Sequence, residues 1–178
     1  PSHVDLKAFD PHGDRDAALE SLVVDADVLF FTTPSTQPLF PAKYLTSEKA
    51  LSKTRYLAAI GSYRLDMQEI DPELLKQVID PSGVFASSGY QGGSVAVDSR
   101  DGCLQEAGEL VKAEIPTEKL LEIGQLLQTK NTDNPDDLDK WLETGFLVYK
   151  SVGTGVMDLA IGHELLRLAK ERSVGLTA

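Results

Sequence analysis

The sequence has few features of a membrane, extracellular or nucleic-acid-binding protein. Its single cysteine, Cys103, cannot form an internal disulfide, and His3, His12 and His163 lack the spacing of a zinc site. No apolar run approaches the roughly 20 residues of a membrane helix, and from the first residues we expect no basic-then-apolar leader. Lys and Arg number 17 against 28 Asp and Glu, and no basic stripe could neutralise the phosphates of a polymer. We therefore expect no metal, nucleic acid or membrane partner, and a cytoplasmic location.

The chain also lacks the G-x-G-x-x-G motif of dinucleotide-binding folds. This absence matters because the region from Ala26 to Ile70 contains two apolar strand segments, VLFF and YLAAI, each followed by a turn of small residues. The turns read TTPS and GS. Such turns, at the carboxyl ends of parallel strands, are where an open α/β sheet binds a nucleotide.

Hydrophobic periodicity predicts alternating strands and helices in a chain of 178 residues, hence one α/β domain with a parallel sheet. Strands are predicted at residues 1–11, 28–31, 56–60, 94–97 and 146–149. The run at 28–31 is expected to be buried on both faces. Helices are predicted at residues 15–24, 42–44, 71–78, 104–111, 117–127 and 155–172, with a solvated loop at 129–137.

Five ordered segments resemble the ornithine cyclodeaminase and mu-crystallin family. They read ADVLFFTTPSTQPLF, AAIGSYRLDMQEID, VAVDSRDGCLQEAGEL, LLEIGQLL and YKSVGTGVMDLA. Members of this family are usually much longer, with a substrate-binding and dimerising domain ahead of a Rossmann domain. The resemblance therefore implies a C-terminal part of a family member. Residues 1–150 would be a partial Rossmann domain without its glycine-loop half, and residues 151–178 a helix returning toward the absent domain.

The resemblance further implies NAD or NADP as cofactor, a small amino or imino acid as substrate, and a homodimer in the full-length form. Residues of three segments would hold the nicotinamide half of the cofactor: Thr32, Thr33, Pro34, Ser35, Ile60, Gly61, Ser62 and Ser151. The N–H groups of residues 150–153 could also face a carboxamide or an anion at the start of the final helix. The alternatives are that these are strand-terminating turns and that Ser151 is a helix cap.

The catalytic residues are unknown, with Tyr63, Arg64 and Asp66 as candidates. The cyclodeaminases of the family carry an Asp two residues after the glycine and a Lys four residues further on, where this chain has Tyr63 and Met67. Tyrosine is normally protonated at neutral pH and is a poor base there. The resemblance therefore favours imine reduction or amino-acid dehydrogenation over ornithine cyclisation. Arg64 and Asp66 could instead form a surface ion pair.

Two further readings stay open at this point. The chain could belong to a non-catalytic, crystallin-like protein that binds NAD(P) or another small ligand, or it could be a truncated remnant without a function of its own. If the glycine-loop half is missing, the first strand has a bare edge, and we expect the isolated piece to be inactive and prone to association. Cys103 has no companion His and is expected to be a buried or idle thiol.

Overall fold

The computed structural model describes residues 15–130 and 136–175, in which five parallel strands form one sheet. The strands are β1 (Val28–Phe31), β2 (Arg55–Ala59), β3 (Val95–Val97), β4 (Leu120–Glu122) and β5 (Phe146–Lys150). The helices are α1 (Arg15–Asp25), α2 (Lys43–Thr46), α3 (Glu48–Leu51), α4 (Pro72–Ile79), α5 (Arg100–Glu106), α6 (Gly108–Lys112), α7 (Ile123–Lys130), α8 (Asp136–Thr144) and α9 (Gly155–Glu171). The predicted α/β class is confirmed.

Apolar side chains alternate between the two faces of the sheet and build two cores. Leu57 and Val148 are fully buried in the larger core, beneath helices that precede β4. Ala96 and Leu147 point to the other face, where they pack with Trp141 of α8. The sheet is therefore covered by helices on both faces, as a parallel sheet requires.

The strand order is β1-β2-β5-β3-β4, so the last strand of the chain lies in the middle of the sheet. Lys150, at the end of β5, aligns with Ala59 of β2 on one side and with Val97 of β3 on the other. Because all pairs are parallel, the turns after β1, β2, β3 and β5 emerge at one edge of the sheet. That edge is called the carboxyl edge below.

Several sequence-based predictions about individual elements are wrong. The helix expected at 117–127 is a 3-10 turn (Thr117–Lys119) followed by β4 and α7, and the helix expected at 104–111 is divided between α5 and α6. Of the loop expected at 129–137, residues 129–130 belong to α7 and residues 136–137 to α8, while residues 131–135 lie outside the described residues. The strand predicted at 1–11 lies outside the described residues.

The prediction that β1 is buried on both faces is also wrong. Phe31 is buried, but Val28 and Phe30 are 49% and 66% exposed. The physical reason is that β1 lies at an edge of the described sheet and pairs only with β2 there. A continuous apolar run is equally compatible with a strand whose covering elements are not among the described residues.

Helix α9 does not pack into either core. None of its residues is buried, and Val156, Leu159 and Leu165 are 73%, 60% and 61% exposed. An amphipathic helix normally buries its apolar stripe, so the exposed apolar side chains of α9 are unusual for a globular domain. Within residues 15–130 and 136–175, no helix has both the length and the apolar character needed to cross a membrane.

Candidate functional site

A depression of about 310 Å³ lies at the carboxyl edge, between the turns that follow β1 and β2. Its lining consists of Thr32, Thr33, Pro34, Ile60, Gly61 and Tyr63. Two larger cavities, of about 460 and 390 Å³, share Gly145 in their linings, which directly precedes β5. They therefore open at the opposite, amino-terminal edge. We take the smaller depression as the candidate site because open α/β sheets bind ligands at the carboxyl ends of their strands.

Gly61 allows the two turns to approach each other. A Cβ atom at this position would collide with the backbone nitrogen and oxygen of Thr33, and it would lie 2.6 Å from Glu69 Oε1. The requirement for glycine is one of space, since any larger side chain would push the turn after β2 away from the turn after β1.

The carboxylate of Glu69 joins the same two turns. Its Oε1 accepts hydrogen bonds from the Thr33 N–H at 2.5 Å and from the Thr33 hydroxyl at 2.9 Å. Its Oε2 accepts from the N–H groups of Gly61 at 2.8 Å and Ser62 at 3.2 Å. Glu69 is only 1% exposed, so four donors compensate for the burial of this carboxylate. Glu69 thus holds the backbone of the depression in place from the interior of the protein.

The predicted cofactor residues are not all equally placed. Thr32 is exposed and its side chain makes no hydrogen bond with any described residue, whereas Ser62 is fully buried behind the depression. The Ser35 hydroxyl donates to the Gln37 carbonyl at 2.6 Å and accepts from the Gln37 N–H at 3.2 Å. Thr32 therefore presents a side chain to solvent at the site. The Ser35 hydroxyl is bonded within its own turn, and the buried Ser62 hydroxyl has no hydrogen-bond partner among the described residues.

Ser151 reaches the same edge from β5, where its N–H donates to the Ala59 carbonyl at 3.0 Å. Its hydroxyl donates to Asp98 Oδ2 at 2.6 Å, and the same oxygen accepts from the N–H groups of Val152 at 3.1 Å and Gly153 at 2.8 Å. Those N–H groups, expected to face a cofactor group or an anion, are thus already bonded to a carboxylate. Asp98 holds the turn that leads into α9.

The hydrogen bonds also set the charge state of Asp98. Burial alone would raise the pKa of Asp98, but donors including the Ser151 hydroxyl and the Gly153 N–H outweigh it and hold the pKa below its ordinary value of 3.8. The neighbouring thiol shows the opposite effect. Burial first, and then the Asp98 charge, raise the pKa of Cys103 to about 12. The expectation of a buried thiol is confirmed.

The candidate catalytic residues lie beside the depression. Tyr63 lines it and is 52% exposed, whereas Met67 is 7% exposed and faces the interior. Arg64 and Asp66 pair with each other at the surface through two bonds of 3.0 and 2.9 Å, as the sequence-based alternative predicted. The described residues contain no cluster of three or more His, Cys, Asp or Glu side chains that could hold a metal ion.

Glu69 and Asp98 are the two site residues that sequence reasoning missed. Asp98 had a usable signal, because it directly follows a buried strand at the edge where the other candidate turns lie. Glu69 had none, since it stands eight residues beyond Gly61 in an irregular segment. Only the folded chain brings its carboxylate back to the ends of β1 and β2.

The strand order, helices on both faces and the site at the carboxyl edge define a Rossmann-type α/β domain. No protein-family model matches the chain. An uncharacterised protein of Saccharomyces cerevisiae is 34% identical over 148 residues, which cover 82% of this chain and 38% of that protein. A Δ1-pyrroline-2-carboxylate reductase of Bacillus cereus is 29% identical over 161 residues, covering 86% and 40%. The chain therefore spans about two fifths of the length of these curated relatives.

Solved structures also resemble this chain, again over only part of their own length. A probable ornithine cyclodeaminase from Bordetella pertussis has a TM-score of 0.59 at 28% identity, over 89% of this chain and 44% of that one. The Δ1-pyrroline-2-carboxylate reductase of Thermococcus litoralis, solved with NADH and L-proline, has a TM-score of 0.65 at 16% identity, over 89% and 42%. The iminosuccinate reductase of Paracoccus denitrificans, solved with NAD+, has a TM-score of 0.64 at 20% identity, over 92% and 48%. Because the last two structures are only 16% and 20% identical to this chain, they support the fold alone.

The homologues of this chain belong to the ornithine cyclodeaminase/mu-crystallin family, which confirms the resemblance found in the sequence. The chain corresponds to a C-terminal portion of these proteins. The predicted Rossmann-type fold is confirmed as well, because the structural neighbours are NAD-binding reductases of that fold.

Proposed function

We propose that this chain is the nicotinamide-side portion of an NAD(P)-dependent oxidoreductase acting on an amino or imino acid. The observation that carries the proposal is the shared depression, since five of the eight predicted cofactor residues line it: Thr32, Thr33, Pro34, Ile60 and Gly61. Relatives named as pyrroline-2-carboxylate reductases, and neighbours solved with NADH or NAD+, support the same activity and cofactor.

The residues present suit the nicotinamide end of such a cofactor. Thr32 is exposed and offers a hydroxyl that bonds to no described residue, and Ile60 offers an apolar side chain that is 44% exposed. A hydroxyl can form a hydrogen bond with a carboxamide, and an apolar side chain can pack against a flat ring. The bound cofactor would supply a hydride, delivered to the imine carbon of the substrate while the nitrogen takes up a proton. The chain's own contribution is to hold the two turns in place through Glu69 and Gly61.

Tyr63 favours reduction over ornithine cyclisation. A cyclodeaminase needs a group that takes and returns a proton at the substrate amine, which the family's Asp provides at this position. Here the depression presents a phenol, and Met67 replaces the lysine with a buried apolar side chain. Ornithine cyclodeaminase is therefore the second candidate, and a non-catalytic NAD(P)-binding protein of the crystallin type is the third.

We further propose that α9 and the edge strand β1 contact the rest of a longer protein. Residues 1–150 would form the partial nucleotide-binding domain, while residues 151–178, which contain α9, would return toward a substrate-binding and dimerising domain. The exposed apolar side chains of α9 and the edge position of β1 support this arrangement, because both surfaces suit burial. A homodimer in the cytoplasm is the assembly and location that we expect.

The direct test is turnover by the complete natural gene product that contains this chain. Purified protein is mixed with Δ1-pyrroline-2-carboxylate and either NADH or NADPH, and cofactor oxidation is followed by absorbance. We expect reduction with one cofactor preferred, and no ammonia release from ornithine. Tight cofactor binding without turnover on any cyclic imine would favour the non-catalytic candidate. Absence of binding to both cofactors would contradict the proposal.

A further inference from the structure

We propose that Lys150 and Glu109 are positioning residues that hold the turn after β2 in the shape the cofactor site needs. Lys150 ends β5 and is 1% exposed at its side chain, while Glu109 of α6 is 0% exposed. Their charged groups lie 3.3 Å apart, from Lys150 Nζ to Glu109 Oε1. An ion pair this deeply buried loses the hydration of both groups and requires a specific reason at its position.

The reason lies in what else the ammonium group contacts. Lys150 Nζ donates to the Ala59 carbonyl at 3.3 Å and also to the Ser62 carbonyl. These two carbonyls flank the turn of Ile60 and Gly61, which lines the depression. The lysine therefore bridges the start and the end of the turn from inside the protein.

The turn is held by a charge on each side. The Ser62 N–H donates to the Glu69 carboxylate at 3.2 Å, while the Ser62 carbonyl accepts from Lys150. Both peptide groups of one residue are thus fixed by buried side chains of opposite charge. Such charge-assisted hydrogen bonds are stronger and more directional than neutral ones.

Glu109 anchors the lysine. Neither of its carboxylate oxygens has a hydrogen-bond partner among the described residues, so Lys150 is the cation that compensates its burial. The preceding residue, Gly108, lies against the segment that follows the turn, because a Cβ atom there would collide with the Met67 carbonyl and approach that of Leu65 to 2.7 Å. Helix α6 therefore positions both the carboxylate and the segment after the turn.

This inference rests on the proposed function, because the turn is taken as part of the cofactor site. A purely structural pair makes a different prediction. Apolar residues of similar volume can often replace both members of a buried ion pair without loss of stability, whereas removal of one member leaves an uncompensated charge. If the pair only fills the core, the doubly apolar protein should behave like the wild type in every respect.

The decisive variant is therefore Lys150→Met with Glu109→Leu, made in the complete gene product. We expect it to unfold within a few degrees of the wild type, yet to bind the preferred nicotinamide cofactor about tenfold more weakly, because a turn that is no longer held in its bound shape must be ordered when the cofactor binds. Amide hydrogen exchange at residues 60–63 should be faster in the ligand-free variant. Unchanged exchange and unchanged affinity in this folded variant would overturn the inference.

A second variant and a matched control complete the test. Glu109→Gln keeps the shape of the side chain and removes its charge, so we expect faster exchange at residues 60–63 here too, and unchanged exchange would again overturn the inference. The control is Arg55→Met, since Arg55 is a 1% exposed cation at the amino end of β2, where it donates to the Val23 and Val24 carbonyls. It should lower stability without changing exchange at 60–63. The exchange measurements need no cofactor, so they decide this inference even if the protein binds neither NADH nor NADPH.

Discussion

The substitution Glu69→Gln tests whether one buried carboxylate holds the two turns of the site together. It replaces one carboxylate oxygen with an amide NH2 group and leaves the shape of the side chain intact. The carboxylate accepts four hydrogen bonds, two from Thr33 and one each from Gly61 and Ser62. An amide has one accepting oxygen and one donating nitrogen, so it cannot satisfy all four donors.

The amide of Glu69→Gln can adopt two orientations, and the expected loss in the free energy of unfolding is that of the more favourable one. If the amide nitrogen faces Gly61 and Ser62, two backbone N–H groups lose their partner. If it faces Thr33, the hydroxyl can rotate and accept, so that only the Thr33 N–H is left unpaired. One buried donor without a partner costs about 1–3 kcal/mol, and weaker neutral bonds at the remaining donors raise the total to roughly 2–4 kcal/mol.

The assay is urea unfolding of the complete gene product and its variants, with the free energy of unfolding compared at constant slope. Glu106→Gln is the matched control, because Glu106 is exposed and should change stability by no more than about 0.5 kcal/mol. A Glu69→Gln protein as stable as this control would show that the carboxylate is not what fixes the turns.

Three further outcomes follow from the same region. Gly61→Ala should cost about 1–3 kcal/mol of stability through the collision with the Thr33 backbone, and should weaken cofactor binding by calorimetry; wild-type affinity would show that the turns can separate freely. Cys103 should resist alkylation at neutral pH until the protein is unfolded in urea, because the pKa of its thiol is raised to about 12; rapid labelling of the native protein would contradict its burial. The pKa of Asp98 is lowered, so its stabilising contribution is complete above the ordinary value of 3.8 and is lost as the pH falls below that value. Asp98→Asn should flatten this acid limb in thermal melts, and an unchanged limb would assign it to other carboxyl groups.

The fold was predictable from the sequence where apolar runs are long enough to bury a strand. The segments at 28–31, 56–60, 94–97 and 146–149 all contain strand residues. Runs of β-branched and aromatic residues bounded by turn residues favour a strand over a helix. Strand β4 was not predictable, because its three residues merge into the helical spacing of α7. The order of the sheet was not predictable either, as nothing local says that β5 inserts between β2 and β3.

The site was predictable only in part, for a related reason. Thr32 and Gly61 stand directly after strands, so their position follows from the strands themselves. One of the residues that hold the turns is remote in sequence, because Lys150 contacts the carbonyl of Ser62, which is 88 positions away. Contacts of this kind depend on the whole fold and leave no pattern of spacing.

The central claim is that the carboxyl edge of the sheet, at the ends of β1 and β2, is the nicotinamide side of a cofactor site. Amide hydrogen exchange of the complete gene product, with and without saturating NADH or NADPH, tests it most directly. We predict that bound cofactor slows exchange at residues 32–35 and 60–63 and leaves residues 87–92, which line the cavity at the opposite edge, unchanged. Protection at 87–92 with none at 32–35 and 60–63 would contradict the account.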